Sequence, residues 1–157
     1  MSYRHLLKNP LHFLSLGFGS GLFPKAPGTM GTVAAIPVVW LASYLGTTGF
    51  IIATVVAFLV GIYLCGYTAK AMGEHDHPSI VWDEIAGYMV AMIAVPVSVS
   101  TLLLAFILFR IFDILKPWPI RYLDRHMHGG LGIMVDDILA GLASLAIIHA
   151  VLAMGWL

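Results

Sequence analysis

Charged residues and cysteine are both scarce in this sequence. Only 10% of its 157 residues are Asp, Glu, Lys or Arg, whereas about 25% is usual for a soluble domain. The formal net charge is zero, which argues against nucleic acid as a partner. Cys65 is the only cysteine, so an intrachain disulfide framework is excluded, and its apolar surroundings predict a packing role.

The few charges fall in three clusters, at residues 4–25, 70–84 and 110–137. Three long stretches contain no Asp, Glu, Lys or Arg, namely 32–69, 85–109 and 138–157. With 60% hydrophobic residues and a mean hydropathy of +0.94, this pattern is typical of segments that lie in a lipid bilayer. The length suits one domain, so we expect a single integral-membrane domain over residues 1–157. We expect no cleavable signal peptide, because glycines interrupt the first apolar run.

The charge-free stretches predict the membrane-spanning helices. A spanning helix needs about 20 apolar residues, and about 17 is the lower limit. Residues 32–69 fit two short helices with a turn at 46–49, and residues 138–157 fit one helix. Residues 85–109 fit either one tilted helix or a hairpin bent near 95–98. A single helix would place the second and third charged clusters on opposite sides of the membrane.

We favour the hairpin, with arms near 79–95 and 100–115, because it brings all three charged clusters to one side. Every Lys and Arg then lies on that side, which the positive-inside rule makes cytoplasmic. The predicted fold is therefore all-α, a polytopic membrane helical bundle of about five short transmembrane helices with interfacial loops. The carboxylates would lie about one turn deep and face the interior of the bundle.

Two adjacent acids, Asp83 and Glu84, open an apolar helix in the sequence Val-Trp-Asp-Glu-Ile-Ala. The helix dipole favours acids in a first turn, which explains one surface acid better than two acids embedded in apolar sequence. Carboxylate oxygens are the ligands that Mg²⁺ prefers, so the pair predicts a metal site.

Arg110, Asp113 and Lys116 recur at a spacing of three and therefore share one helix face. Pro117 should end that helix at Lys116. One interpretation is a ladder of ion pairs within the helix, beside an interfacial Trp118. The other interpretation places Asp113 on a metal ion, with Arg110 and Lys116 neutralising phosphate oxygens.

Two glycine-rich segments also lie beside charged residues. Residues 129–135 are predicted to form a flexible loop that leads into a second acid pair, Asp136 and Asp137, at the start of an apolar helix. Ordinary N-capping by Asp136 is the alternative. Residues 17–32 place Lys25 before a helix whose amino terminus could bind phosphate, or their glycines could serve close helix packing.

The sequence lacks the signatures of several hydrolase classes. It has no Cys-x₅-Arg phosphatase loop, no Gly-x-Ser-x-Gly elbow and no His-Glu-x-x-His zinc helix. The segment His75-Asp76-His77-Pro78 has the wrong spacing for two ligands on one helix face, and we predict a cap or loop there. The remaining carboxylates, cations and glycines indicate metal-assisted phosphoryl chemistry.

Taken together, these segments resemble the phosphatidylglycerophosphatase A family of bacterial membrane lipid phosphatases. The matching stretches occur in order at residues 17–22 with 27–31, 75–84, 110–113, 116–121 and 128–137. The resemblance implies Mg²⁺-dependent hydrolysis of phosphatidylglycerophosphate to phosphatidylglycerol and phosphate in phospholipid biosynthesis. It also implies a multi-pass protein of the bacterial inner (cytoplasmic) membrane with a phospholipid substrate, and the charge distribution predicts an active site that faces the cytoplasm.

Under this resemblance the charged segments have expected roles. The carboxylates expected to hold one or two Mg²⁺ and to carry the catalysis are Asp83, Glu84, Asp113, Asp136 and Asp137. The residues expected to bind the phosphate or the rest of the substrate are Lys25, Thr29, Arg110, Lys116 and Arg121. One carboxylate would act as the base that activates water, or as a nucleophile.

Two other functions compete with the phosphatase. An ion- or proton-coupled transporter would also place acids in a membrane, but these acids lie at the ends of the predicted spans, and the chain has no inverted repeat. A non-catalytic lipid-binding subunit would explain the cations but not two acid pairs. The sequence does not specify the oligomeric state.

Overall fold

A computed structural model describes residues 4–73, 77–118, 120–127 and 129–155, without the side chains of Arg4 and Asp124. These residues form seven α-helices and two short 3₁₀ segments, and no strand occurs among them. The helices are α1 (Pro10–Ser15), α2 (Pro27–Ser43), α3 (Gly46–Met72), α4 (Trp82–Ala91), α5 (Val99–Leu115), α6 (Ile120–His126) and α7 (Gly129–Ala153). The all-α expectation is confirmed for this part of the chain.

The first charge-free stretch folds as two helices, as expected. α2 ends at Ser43 and α3 begins at Gly46, so the turn lies just before the predicted one at 46–49. α3 and α7 are each long and apolar enough to cross a membrane, and α2 is a shorter apolar helix. α3 also carries exposed apolar side chains along its length, namely Ile51, Ile52, Val55, Val56 and Leu59. A continuous apolar surface of this kind is typical of a face that contacts lipid or another protein.

α4 and α5 form a hairpin. α4 is ten residues long, which is shorter than the predicted arm at 79–95. Ala94, in the turn after α4, has a left-handed φ of 57°. Pro96 disfavours the helical conformation of Val95, so the helix cannot continue to the end of the predicted arm. Ser98 then begins α5 through a reciprocal pair of hydrogen bonds with Thr101.

The short helix α4 lies at the centre of the bundle, where residues 83–91 are all buried. It crosses α7 at two glycines, Gly87 and Gly141. A Cβ on Gly141 would overlap the carbonyl oxygen of Gly87, so only glycine permits this close approach. The contact holds the start of α4 beside the acids of α7.

α7 begins at Gly129, well before the predicted start at residue 138. The prediction of a flexible glycine loop is therefore wrong, because these glycines form the first turns of the helix. A Cβ on Gly130 would overlap the carbonyl oxygen of Ile62 in α3, so the small residue serves a close contact between two helices. Asp136 lies inside α7 and is not its N-cap.

Candidate active site

A cavity of about 370 Å³ lies where the start of α4, the end of α5 and the first third of α7 meet. The segments that lead into α2 and α4 border it as well. The Asp, Glu, Arg and Lys residues that line it are Asp83, Glu84, Arg110, Asp113, Lys116 and Asp136. The cavity therefore collects most of the charged residues that the sequence predicts to act on phosphate.

Five buried carboxylates from three helices converge beside this cavity. They are Asp83 and Glu84 in α4, Asp113 in α5, and Asp136 and Asp137 in α7. Carboxylate oxygens of Asp83, Glu84 and Asp137 lie within 4.8 Å of one another, and so do those of Asp113, Asp136 and Asp137. Asp137 thus belongs to both groups. Each group offers the oxygen ligands that hard divalent cations prefer.

Arg110 links the two arms of the hairpin. Its Nη1 donates to Oε2 of Glu84 at 3.2 Å and also to the carboxylate of Asp113. The predicted ladder of ion pairs along α5 is present, but it also reaches across to α4. The buried Nε of Arg110 has no hydrogen-bond partner among the described residues. A guanidinium has five N–H donors, so Arg110 can hold both acids and still donate to a ligand oxygen.

Lys116 ends α5 in a left-handed conformation with a φ of 47°. Pro117 follows it and prevents the helix from continuing, as predicted. The Nζ of Lys116 lies 2.5 Å from Oδ2 of Asp136 and 3.9 Å from Oδ1 of Asp113. Burial alone would lower the pKa of Lys116, but the neighbouring charges of Asp136 and Asp113 raise this pKa above its ordinary value. Lys116 therefore stays protonated and adds a permanent cation to the site.

The acids of this cluster outnumber its cations, because five carboxylates face Arg110 and Lys116. Ionised carboxylates at such distances repel one another unless a cation lies between them. Oδ1 of Asp137 is buried and has no hydrogen-bond partner among the described residues, which is uncommon for a polar atom unless it binds a ligand. The five carboxylates, together with this unpaired oxygen of Asp137, fit the ligand requirements of one or two Mg²⁺ ions.

Three of the five residues predicted to bind phosphate or substrate do not line the cavity, namely Lys25, Thr29 and Arg121. Lys25 is exposed, and Thr29 lies in the first turn of α2. The residue between them that approaches the charged groups is Gly28. A Cβ at this position would lie 3.0 Å from Oε1 of Glu84 and 3.2 Å from both Nη atoms of Arg110. The first turn of α2 therefore contributes a close backbone approach to the ion pair.

Arg121 was also predicted to bind the substrate, and it too lies outside this cavity. It is exposed in α6, and its Nη2 donates to the carbonyl oxygen of Leu115 at 2.9 Å. It lines an adjoining cavity that shares Lys116 with the first one. The structure thus places Arg121 beside the carboxylates rather than among them.

His77 lines the carboxylate cavity, although the sequence predicted only a cap or loop role for it. Its Nδ1 accepts a hydrogen bond from the backbone N–H of Ser79 at 3.1 Å, which is a local cap of this kind. The one sequence feature that could have indicated this location is the position of His77 a few residues before the first acid pair. His75 and Asp76 of the same segment lie outside the described residues.

The sequence matches the family profile described as Phosphatidylglycerophosphatase A over residues 13–152. A protein named Phosphatidylglycerophosphatase A from Escherichia coli is 49% identical over 144 residues, covering 91% of this chain and 84% of that protein. A protein of the same name from Haemophilus influenzae is 50% identical, covering 92% of this chain and 90% of that protein. A protein from Bacteroides thetaiotaomicron is 39% identical over 86% of this chain and 89% of its own length, and it is named provisionally as a phosphatidylinositol-3-phosphatase.

No solved structure matches this chain. The match to the family profile covers nearly the whole sequence and includes all five converging carboxylates. Two relatives named after the same activity share about half of their residues with it over most of their length. The chain therefore belongs to the phosphatidylglycerophosphatase A family.

Proposed function

We propose that this protein is a Mg²⁺-dependent lipid phosphatase. Its reaction is the hydrolysis of phosphatidylglycerophosphate to phosphatidylglycerol and phosphate, which is a step of phospholipid biosynthesis. The observation that carries the proposal is the convergence of five buried carboxylates with Arg110 and Lys116 around one cavity. The family and the names of two relatives supply the substrate.

Two sets of carboxylates would hold the metal. One is Asp83, Glu84 and Asp137, and the other is Asp113, Asp136 and Asp137. When bound, Mg²⁺ supplies Lewis-acid polarisation of the phosphoryl group and lowers the pKa of a coordinated water. The excess of acids over cations supports this proposal, because without a bound metal ion the carboxylates would repel the negatively charged phosphate.

Arg110 and Lys116 would bind the oxygens of the terminal phosphate. Their positive charges lie at the wall of the cavity, where they would stabilise the negative charge that develops on the phosphoryl oxygens. Arg110 retains a buried Nε donor that the ion pairs do not use. Glu84 and Asp113 orient the guanidinium before substrate arrives, so little ordering is needed on binding.

One of the five carboxylates would act as general base. In this step the oxygen of a water molecule bonds to phosphorus while the bond from phosphorus to the glycerol oxygen breaks. The proton of the water passes to the carboxylate, and the released glycerol oxygen gains a proton in turn. A carboxylate nucleophile that forms an acyl phosphate is the alternative within the same site.

The same proposal includes a single integral domain in the bacterial inner (cytoplasmic) membrane, with five membrane helices and a site that faces the cytoplasm. α2, α3, α5 and α7 would cross the bilayer, with α4 as the fifth helix. α4 rises only about 15 Å, about half of a hydrocarbon core of about 30 Å. This length is acceptable for a helix that other helices enclose, and residues 83–91 of α4 are all buried.

Phosphate release by the purified protein in detergent tests the function. The substrate is phosphatidylglycerophosphate, assayed with Mg²⁺ and with EDTA, and glycerol 3-phosphate is the control without acyl chains. We expect Mg²⁺-dependent release from the lipid alone. A phosphatase needs no sealed compartment, so a folded sample that released no phosphate would remove this function and favour a transporter.

A further inference from the structure

A second cavity, of about 360 Å³, adjoins the carboxylate site. Lys116 lines both cavities. The other basic and aromatic side chains that line the second cavity come from α6 and the segment before it, namely Trp118, Arg121, Tyr122, Arg125 and His126. We call this region the α6 cavity. None of the five carboxylates of the first site lines it.

The two cavities differ in charge. The described lining of the α6 cavity contains Lys116, Arg121, Arg125 and His126 but no acid, with the Asp124 side chain outside the description. The carboxylate cavity has the opposite excess. A lining rich in Arg and Lys attracts anions, and Arg in particular matches the geometry of phosphate. The α6 cavity therefore suits an anionic group, whereas the first cavity suits a cation and the phosphate bound with it.

Side-chain contacts hold this basic surface in place. The guanidinium of Arg121 donates to the carbonyl oxygen of Leu115 at 2.9 Å. The ring of His126 stacks on Tyr122 with centroids 4.2 Å apart, and its Nδ1 donates to the carbonyl oxygen of the same residue at 2.7 Å. Ordered donors lose less conformational entropy when they bind a ligand.

The aromatic residues of the α6 cavity indicate its depth relative to lipid. Trp118 is 82% exposed and Tyr122 is 53% exposed. Exposed Trp and Tyr side chains are enriched at the level of lipid headgroups. The α6 cavity therefore lies at headgroup level and beside a cavity that would hold a lipid phosphate. The anionic ligand that best fits this position is a second phosphate group of a lipid.

We propose that the α6 cavity binds the phosphodiester of the substrate while the terminal phosphate lies among Arg110, Lys116 and the carboxylates. This inference rests on the proposed function, because phosphatidylglycerophosphate carries both a terminal phosphate and an internal phosphodiester joined through one glycerol. Lys116 lies between the two groups. Arg121 and Arg125 would thereby select lipids with a second phosphate over phosphatidic acid, which has the monoester alone.

The substitution Arg125→Gln tests this proposal, because Arg125 is exposed and the variant should fold. The assay compares phosphatidylglycerophosphate with phosphatidic acid of the same acyl chains, in uncharged detergent. We expect KM for the first lipid to rise about tenfold, since hydrogen bonds to charged groups contribute at this level, with kcat unchanged. KM for phosphatidic acid, or its inhibition constant if it is not hydrolysed, should stay within about twofold.

Product inhibition gives a second readout. Phosphatidylglycerol keeps the phosphodiester and lacks the terminal phosphate, so its inhibition constant should rise by the same factor as KM. Arg125→Lys should restore part of the loss. Lys8→Gln, which removes an exposed charge of the amino-terminal segment, is the control and should change neither lipid's constants.

Two outcomes would overturn the proposal. An equal rise in KM for both lipids would mean that Arg125 attracts the phosphate of a neighbouring lipid or anionic surfaces in general. No change for either lipid would mean that the α6 cavity binds no part of the substrate. Failure of the proposed function looks different, because the unsubstituted protein would then release no phosphate from phosphatidylglycerophosphate.

Discussion

The amine of Lys116 lies 2.5 Å from Oδ2 of Asp136 and joins the end of α5 to the first third of α7. Lys116 makes this contact from a left-handed backbone conformation, which costs about 1–2 kcal/mol for a residue with a Cβ. Glycine is the usual residue at such a helix end. The ion pair gives a physical reason for a lysine at this position, because glycine would relieve the strain but supply no cation.

Lys116→Gly and Lys116→Met separate these two effects. Both variants lose the cation, and we expect phosphate release to fall about 100-fold in each, the usual cost of removing one charge-stabilising donor. Only glycine relieves the left-handed conformation, so Lys116→Gly should be more stable than Lys116→Met by about 1 kcal/mol. Thermal unfolding in detergent gives the stability, and phosphate release gives the activity.

Lys70→Met is the matched control for this pair. Lys70 is exposed in the last turn of α3 and does not line the carboxylate cavity. Its substitution should leave turnover within about twofold. Near-normal turnover in Lys116→Met would show that the amine does not act on the phosphate.

Asp137→Asn should be the most damaging single change among the carboxylates, because Asp137 belongs to both metal-ligand groups. Changes even to partners of metal ligands cost about 10–100-fold, so we expect a loss of at least about 1,000-fold for this shared ligand and somewhat less for Asp83→Asn. The variant should remain folded, since removing one of several crowded negative charges reduces repulsion. Phosphate release across a Mg²⁺ titration measures the effect, and near-normal turnover of Asp83→Asn would count strongly against the site.

Mg²⁺ should stabilise the folded protein directly. A ligand at 100 times its Kd raises the free energy of unfolding by about 2.7 kcal/mol. We therefore expect a higher unfolding temperature in Mg²⁺ than in EDTA, and a much smaller difference in Asp137→Asn. Thermal unfolding in detergent needs no substrate, so it separates metal binding from catalysis. Equal unfolding temperatures in Mg²⁺ and EDTA at millimolar concentrations would contradict binding at these carboxylates.

The sequence predicted the acids of the site because adjacent carboxylates in apolar surroundings have few structural explanations. Asp83 with Glu84, and Asp136 with Asp137, come from distant parts of the chain and lie together in the fold. Arg110 and Lys116 were predicted from their spacing with Asp113, and the ion pairs follow that spacing. Residue types and local spacing were thus sufficient to predict which charged residues converge in the fold.

Tertiary contacts account for what the sequence did not predict. The glycines before Asp136 were interpreted as a loop, but the approach of α7 to α3 at Gly130 needs a small residue inside a helix. The turn at Lys116 and Pro117 leads away from the carboxylates, so Arg121 lies in the α6 cavity instead. The direction of the chain after a turn and the distance between two packed helices depend on tertiary contacts, so a local sequence pattern does not predict them.

Gly28→Ala tests the close approach of the first turn of α2 to the ion pair of Glu84 and Arg110. The added methyl group would lie 3.0–3.2 Å from their charged atoms, so the guanidinium must shift by a few tenths of an ångström. We expect activity to fall about tenfold, because small misplacements at a reacting centre have large effects on rate. Stability should change little, since alanine is the better helix former in the first turn of α2.

Gly66→Ala is the matched control, because it adds the same methyl group within α3. The nearest atoms there would be the N and Cα of Gly130, at 3.5 and 3.6 Å, which is ordinary van der Waals contact. This variant should keep its turnover and gain up to about 1 kcal/mol in stability. If Gly28→Ala kept full activity while Arg110→Gln lost it, the guanidinium would tolerate displacement, and Gly28 would serve only the packing of α2.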